Sequence, residues 1–269
     1  MIRVHNLSFA YAPERHIVFE HLNLHIEPLT WAAVIGPDGS GKTTLGKLVK
    51  GLLIPDAGSI SITDTCARDV DSVGYLGGDP ADLAVGMTVE EDVVFGMENM
   101  GLPRREIRDR LKDALMRTGL ANMGKRLVHT LSGGEQQKLA LAGVLAMRVK
   151  VLIIDEALGM LDRPVRRSIR SLLASLRRDP GLTIMEMASG VDDLYSADRV
   201  VFLSRGNIGF DGSASEFLSG LPGIRWSSMN GGLPALNAAL HQKGLIPEDG
   251  VDAAGPVGIL LNHINQLKH

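Results

Sequence analysis

The sequence predicts an α/β protein: a mostly parallel, helix-covered sheet with an antiparallel β region before it, a helical lobe inserted into it and a small helical extension after it. Three observations carry this prediction. Short apolar runs bounded by glycine or charge, at 31–35 and 151–154, read as buried parallel strands. They alternate with helical patterns, as in sheets whose strands are joined by helical crossovers. The block 79–148 carries few strand signals and reads as a separate helical lobe.

The elements follow in order. Phe19, His21, Asn23 and His25 alternate with Glu20, Leu22, Leu24 and Ile26, which is period two with one apolar face. The two histidines lie on the polar face with no third ligand nearby, so a strand surface explains them better than a metal site. The run 31–35 is followed by a glycine-rich turn at 36–41 and a helical pattern over 42–53. Residues 58–63 read as a strand, and 89–120 as helical, punctuated by Gly101, Leu102 and Pro103. Helices are expected at 132–147 and 164–178, and strands at 182–187 and 199–203. Beyond about 221, glycine, proline and asparagine break the pattern before two short helical stretches. The division is a core of 1–78 and 149–220, a helical subdomain of 79–148, and an extension of 221–269.

Composition excludes several classes. A formal charge of -3 gives no global attraction to nucleic acid, and 4% aromatics is too few for a base-stacking surface. The single cysteine, Cys66, can form no internal disulfide, which is consistent with a reducing compartment. Arg3, His5 and Asn6 interrupt the start against a secretory signal, and no run reaches the roughly 18 apolar residues of a membrane span. A soluble chain is expected, whose membrane role must come through a partner.

Gly36, Asp38, Gly39, Ser40, Gly41, Lys42, Thr43 and Thr44 lie in a complete phosphate-binding loop, G-x-x-x-x-G-K-[ST], between an apolar strand and a helix. Glycines allow successive N–H groups to point at an anion, and the helix start adds partial positive charge. Lys42 is expected to reach the β- and γ-phosphates of a bound nucleotide, and Thr43 to ligate Mg²⁺. The apolar run 151–154 ends in Asp155 and Glu156. Asp155 is placed to hold Mg²⁺ or its water, and Glu156 to polarise an attacking water. Ser132, Gly133, Gly134 and Glu135 form a second anion-binding helix start. A capping box accounts for Ser132 and Glu135 but not for the paired glycines. A surface that grips the γ-phosphate held by another subunit accounts for all four.

At these residues the chain resembles the ATP-binding cassette (ABC) ATPases, over about residues 2–220. The resemblance implies a RecA-like P-loop NTPase core. Residues 36–44 resemble the family's Walker A, 151–156 its Walker B, 131–137 its signature, and Met160, Leu161 and Asp162 its D-loop. Tyr11 sits where the family has an aromatic that stacks on adenine. Residues 88–96, 101–103, 139–147 and 233–247 further resemble the ATPase subunits of energy-coupling factor (ECF) importers of vitamins and metal ions.

That resemblance implies ATP and Mg²⁺ as cofactors and a peripheral place on the cytoplasmic face of the membrane. The partners it implies are a second cassette, a transmembrane coupling subunit and a substrate-binding membrane subunit. Acids at 79–82 and 90–92 are expected to meet the coupling subunit. A homodimeric transporter ATPase and a soluble non-transport ABC ATPase are the alternatives. Two positions depart from the family. Gly78 replaces the glutamine of the Q-loop, and Ser189 replaces the switch histidine. Together with an intact signature, they predict a site that binds ATP, hydrolyses it poorly, and pairs with a different cassette. Asp38 is a further oddity, because a carboxylate beside the phosphate loop opposes nucleotide binding unless it points outward.

Overall fold

The computed structural model describes residues 1–12, 16–62, 72–78, 84–159, 161–178, 181–188, 191–194 and 196–219. The expected extension at 221–269, Cys66, the acids at 79–82, Met160 and Ser189 lie outside the described residues.

Two sheets form. Strands β1 (Ile2–Tyr11), β2 (His16–Ile26) and β4 (Ala57–Ile62) make an antiparallel sheet in the order β2-β1-β4. Strands β3 (Trp31–Ile35), β5 (Val73–Gly77), β6 (Val151–Asp155), β7 (Thr183–Met187), β8 (Arg199–Ser204) and β9 (Asn207–Ser213) make a six-stranded sheet ordered β5-β6-β7-β3-β8-β9. All of its pairs are parallel except the edge pair β8–β9. β3, β6 and β7 are buried at every position, as strands covered on both faces should be.

Helix α1 (Lys42–Lys50) supplies Leu45, Leu48 and Val49 to the core shared by the two sheets. It ends three residues before the expected limit, because Gly51 adopts φ 85° and turns its N–H back to Leu48 and Lys47 carbonyls. On the other face, α4 (Gly133–Ala146) and α5 (Arg163–Arg178) place Leu141, Ile169, Leu173 and Leu176 against Trp31, Leu152 and Ile154. The helical lobe has its own core, where α2 (Val89–Asn99) and α3 (Arg104–Thr118) pack Val93, Met97 and Leu115 against Leu139 and Ala142 of α4. Short helices α6 (Val191–Leu194) and α7 (Ala214–Ser219) and a 3-10 turn at Val128–Thr130 complete the described elements.

The structure corrects the phase of β2. Phe19 is buried with Leu22, Leu24 and Ile26 instead of lying on the histidine face. Leu7 pairs with Leu22 and Phe9 with Phe19, so β2 carries one extra residue between them. His21, at φ 53°, sits in this bulge. Strands β5 and β9 were not anticipated as strands from the sequence.

Candidate functional site

The loop at 36–41 leaves the C-terminal end of β3, in the interior of the parallel sheet, and runs into α1. This is where open α/β sheets hold ligands. Gly41 adopts φ 102°, and a Cβ there would lie 2.7 Å from the Phe19 ring, so both conformation and space require glycine. The Lys42 ammonium is almost buried and donates to the carbonyls of Gly36 at 2.9 Å and Pro37 at 3.2 Å. Among the described residues, the buried Ser40 hydroxyl has no hydrogen-bond partner. A buried cation resting on the loop's own carbonyls and an unpaired buried hydroxyl fit an anion that would satisfy both.

Asp155, at the end of β6, comes beside this loop although 112 residues separate it from Thr43. The Thr43 hydroxyl donates to Asp155 Oδ1 at 3.0 Å, and the Tyr75 hydroxyl donates to Oδ2 at 2.6 Å. Burial, and then the Asp155 carboxylate, push the Tyr75 phenol above its ordinary pKa, which keeps it a donor. A threonine hydroxyl beside a carboxylate is the hard-oxygen set that Mg²⁺ takes together with phosphate and water, so these residues fit the ion. Glu156 is exposed and holds φ 55°, a strained conformation for a non-glycine residue.

The other expected nucleotide contacts lie around this loop. Tyr11 is 40% exposed, its ring set edge-on to Phe9 and its hydroxyl 3.2 Å from Thr44 Oγ1. Asp38 extends fully into solvent, yet its Oδ1 lies 4.0 Å from the Lys42 ammonium. Gly78 adopts φ 79°, so the backbone at this position suits glycine and would strain a glutamine, although among the described residues nothing lies within 4 Å of a Cβ there.

The signature region forms a separate site. Ser132 caps α4, its side chain accepting from Glu135 N while Glu135 accepts from Ser132 N, a complete capping box. The Ser132 N–H and then its hydroxyl lower the Glu135 carboxyl below its ordinary pKa, and Arg126 pairs with the other oxygen at 3.0 Å. Gly133 and Gly134 open the first turn, where N–H groups have no intrahelical acceptor. The two glycines differ. A Cβ at Gly134 would lie 2.8 Å from Val165, so close packing of α4 on α5 explains that residue. Among the described residues, a Cβ at Gly133 would meet nothing within 4 Å, and its φ is not positive, so nothing described inside the chain requires it. These residues open on a depression of about 300 Å³ lined also by Lys138, Leu161, Asp162 and Val165, and by no residue of the 36–44 loop. Arg166 holds the segment that leads into α5, donating to the carbonyls of Gly159 at 2.6 Å and Leu161 at 3.1 Å.

The acids expected to meet a membrane subunit are partly used internally. Glu91 accepts from Thr88 N, and Asp92 accepts from Val85 N at 2.7 Å and Gly86 N at 3.0 Å, tying down the start of α2. Beside them lies a mostly apolar groove of about 220 Å³ between the core sheet and the helical lobe, lined by Tyr75, Val85, Phe95 and Met147 among others.

Sequence reasoning missed Tyr75 and Arg166. Tyr75 carries a weak signal, an aromatic hydroxyl in a short run with glycine at 74 and again at 77 and 78. Among the described residues, no group of three His, Cys, Asp or Glu side chains could hold a metal ion, and no helix is long and apolar enough to cross a membrane.

A strand-loop-helix phosphate nest, with a threonine and an aspartate from a second parallel strand, defines a P-loop nucleoside triphosphatase. An ABC transporter family model matches residues 19–159, just over half of the chain. An energy-coupling factor transporter ATP-binding protein, EcfA1, of Ligilactobacillus salivarius is 37% identical over 218 residues, covering 79% of this chain and 77% of the relative. The EcfA1 of Lacticaseibacillus paracasei is 33% identical over 94% of both chains. Among solved structures, cbiO1 of Clostridium perfringens, part of the ABC transporter complex cbiONQ, superposes with a TM-score of 0.74. It is 28% identical over 90% of this chain and 94% of its own. The cassette MJ0796, a dimer bound to ADP and phosphate, shares the fold, with a TM-score of 0.69 over 80% of this chain and 99% of its own at 22% identity. The chain belongs to the ABC transporter family and is one of its ATP-binding, ATP-hydrolysing subunits.

Proposed function

We propose that this chain is the ATPase of an ECF-type importer and works face to face with a second, non-identical cassette. The observation that carries the pairing is Gly133. It stands in the first turn of a capped helix with no requirement for glycine from the described residues, and the depression it opens on contains no residue of the chain's own phosphate loop. Such a helix start suits an anion presented by a neighbour. The relatives named as ECF ATP-binding proteins support the importer reading.

In this reading Lys42, Ser40 and the loop N–H groups bind the ATP phosphates, and Tyr11 lies against the adenine. Thr43 and Asp155 hold Mg²⁺, which when bound offsets charge on the phosphates. Glu156 orients the attacking water. Ser132, Gly133 and Gly134 of each cassette close over the nucleotide of the other. The groove beside Phe95 takes a helix of a transmembrane coupling subunit, while a further membrane subunit binds the substrate. The chain then sits on the cytoplasmic face of the membrane. With Gly78 and Ser189 lacking the family's side chains, its own site turns over slowly, by about 10²–10⁴-fold. The intact Glu156 favours a homodimer as the second reading.

The test measures ATP hydrolysis by the chain alone, by its Ser189→His variant, and by the complex isolated with its membrane subunits. Ser189→His is chosen because glutamine at 78 meets an unfavourable backbone. The reading expects slow hydrolysis by the chain alone, a gain of at least about 10-fold in the variant, and a second cassette in the complex. Ordinary transporter rates from the chain alone, with no gain from histidine, would overturn the slow-site and unlike-partner reading. A strictly monomeric protein at saturating ATP with all partners present would overturn the pairing itself.

A further inference from the structure

The Asp155 carboxylate is held at both oxygens, and one holder comes from outside the phosphate loop. Thr43 occupies Oδ1 and Tyr75 occupies Oδ2. Tyr75 and Gly77 share a face of β5, and Gly77 stands directly opposite Asp155 in the parallel register. With no side chain at 77, the Tyr75 ring lies along the strand in that space, and its hydroxyl arrives at the carboxylate. A Cβ at Gly77 would lie 2.6 Å from the ring, and its three nearest neighbours would all be Tyr75 atoms. Gly46 of α1 walls the other side, where a Cβ would lie 3.5 Å from the ring. Gly77 has no positive φ to explain it. Gly78 contributes no side chain, so among the described residues the hydroxyl of Tyr75 is the polar group that β5 brings to Asp155.

We propose that Tyr75 is a positioning residue that fixes the Asp155 carboxylate in the orientation that receives magnesium-bound ATP. A carboxylate turns easily about its terminal torsion, whose energy wells are broad. Bonds to both oxygens remove that freedom before the ligand arrives, so less ordering remains to be done on binding. This inference rests on reading 36–44 with Asp155 as the nucleotide site.

The test is Tyr75→Phe in the full-length chain, which keeps the ring and removes only the hydroxyl. Binding of a fluorescent methylanthraniloyl ATP is titrated in EDTA and then against increasing magnesium chloride. Affinity in EDTA is expected to stay within about 2-fold of wild type, while the half-saturating magnesium concentration rises about 2- to 10-fold. Gly77→Ala, which pushes the ring aside, is expected to move magnesium dependence the same way. Equal magnesium dependence in wild type and Tyr75→Phe overturns the proposal. So does an affinity loss of the same size with and without magnesium, which would mark a structural role only. If wild type binds no ATP under either condition, the site reading fails and the proposal with it.

Discussion

Glu186 gives a prediction whose sign can be worked out. Its carboxylate is buried in β7 and shares one guanidinium with a second carboxylate, Arg170 Nη2 lying 2.5 Å from Glu186 Oε1 and 2.6 Å from Asp193 Oδ1. Trp31 Nε1 donates to Glu186 Oε2 at 2.9 Å, and the Arg170 guanidinium lies 5.6 Å from the centre of the Trp31 ring. One positive charge cannot neutralise two buried negative ones. Burial and the neighbouring Asp193 outweigh Arg170, and the Glu186 pKa rises from 4.5 to about 7. A raised folded-state pKa means that the folded chain holds the proton more tightly than the unfolded chain. The associated stability is fully present below pH 4.5 and is lost as pH rises through about 7. A rise from 4.5 to about 7, at ~1.4 kcal/mol per pH unit, corresponds to about 3–4 kcal/mol at most over the whole titration, of which the part above pH 5 is about 3 kcal/mol or less. Glu186→Gln removes the titration and keeps one acceptor oxygen for Trp31 or Arg170, while its amide NH2 faces the other donor, a cost that does not vary with pH. The assay is urea unfolding of both proteins at intervals from pH 5 to pH 8. The difference, wild type minus variant, is expected to fall by up to about 3 kcal/mol across that range. A difference that stays flat or rises with pH would refute the account of the buried triad.

Further outcomes follow from the site geometry. Gly133→Ala is expected to fold at least as stably as wild type, since alanine gains about 1 kcal/mol of helix propensity in open space, while losing ATP-dependent pairing by light scattering. Gly134→Ala instead meets Val165, and its net cost of about 0–2 kcal/mol, overpacking less the propensity gain, is read by urea unfolding. Glu156→Gly relieves a positive φ at an exposed position, so it is expected to raise the melting temperature by about 2–4 °C for roughly 1 kcal/mol while hydrolysis is lost. Asp38→Asn removes a solvent-exposed carboxylate 4.0 Å from Lys42, and ATP is expected to bind more tightly by no more than about 5-fold, an effect that shrinks as salt increases.

Much of the site was legible in the sequence because its parts are local. The strand, glycine loop and helix around Lys42 lie within one short stretch, and the spacing of residue types states the chemistry. The capping box at Ser132 and Glu135 is likewise a four-residue pattern that the structure forms as expected. The case for Gly133 and Gly134 as a pair was only half legible, because the partner of Gly134 is Val165 on another helix. The acids Glu91 and Asp92 look like free surface charges in the sequence. Their hydrogen bonds to the 85–88 backbone show only once the loop folds back on α2.

The sequence by itself determined the class of chemistry, since backbone conformations and side-chain types that grip phosphate are written in runs of consecutive residues. It also determined the alternation of strands and helices, because hydrophobic period is a local property. The packed fold alone decided which distant residues meet. Asp155 reaches Thr43 because β6 and β3 point the same way in one parallel sheet, separated by β7. Tyr75 reaches Asp155 because β5 lies beside β6 in a register that sets Gly77 opposite the aspartate. Arg170 finds two carboxylates because α5 carries it between Glu186 of β7 and Asp193 of α6. Strand order and register belong to no single segment, so contacts that depend on them appear only when the whole core is assembled.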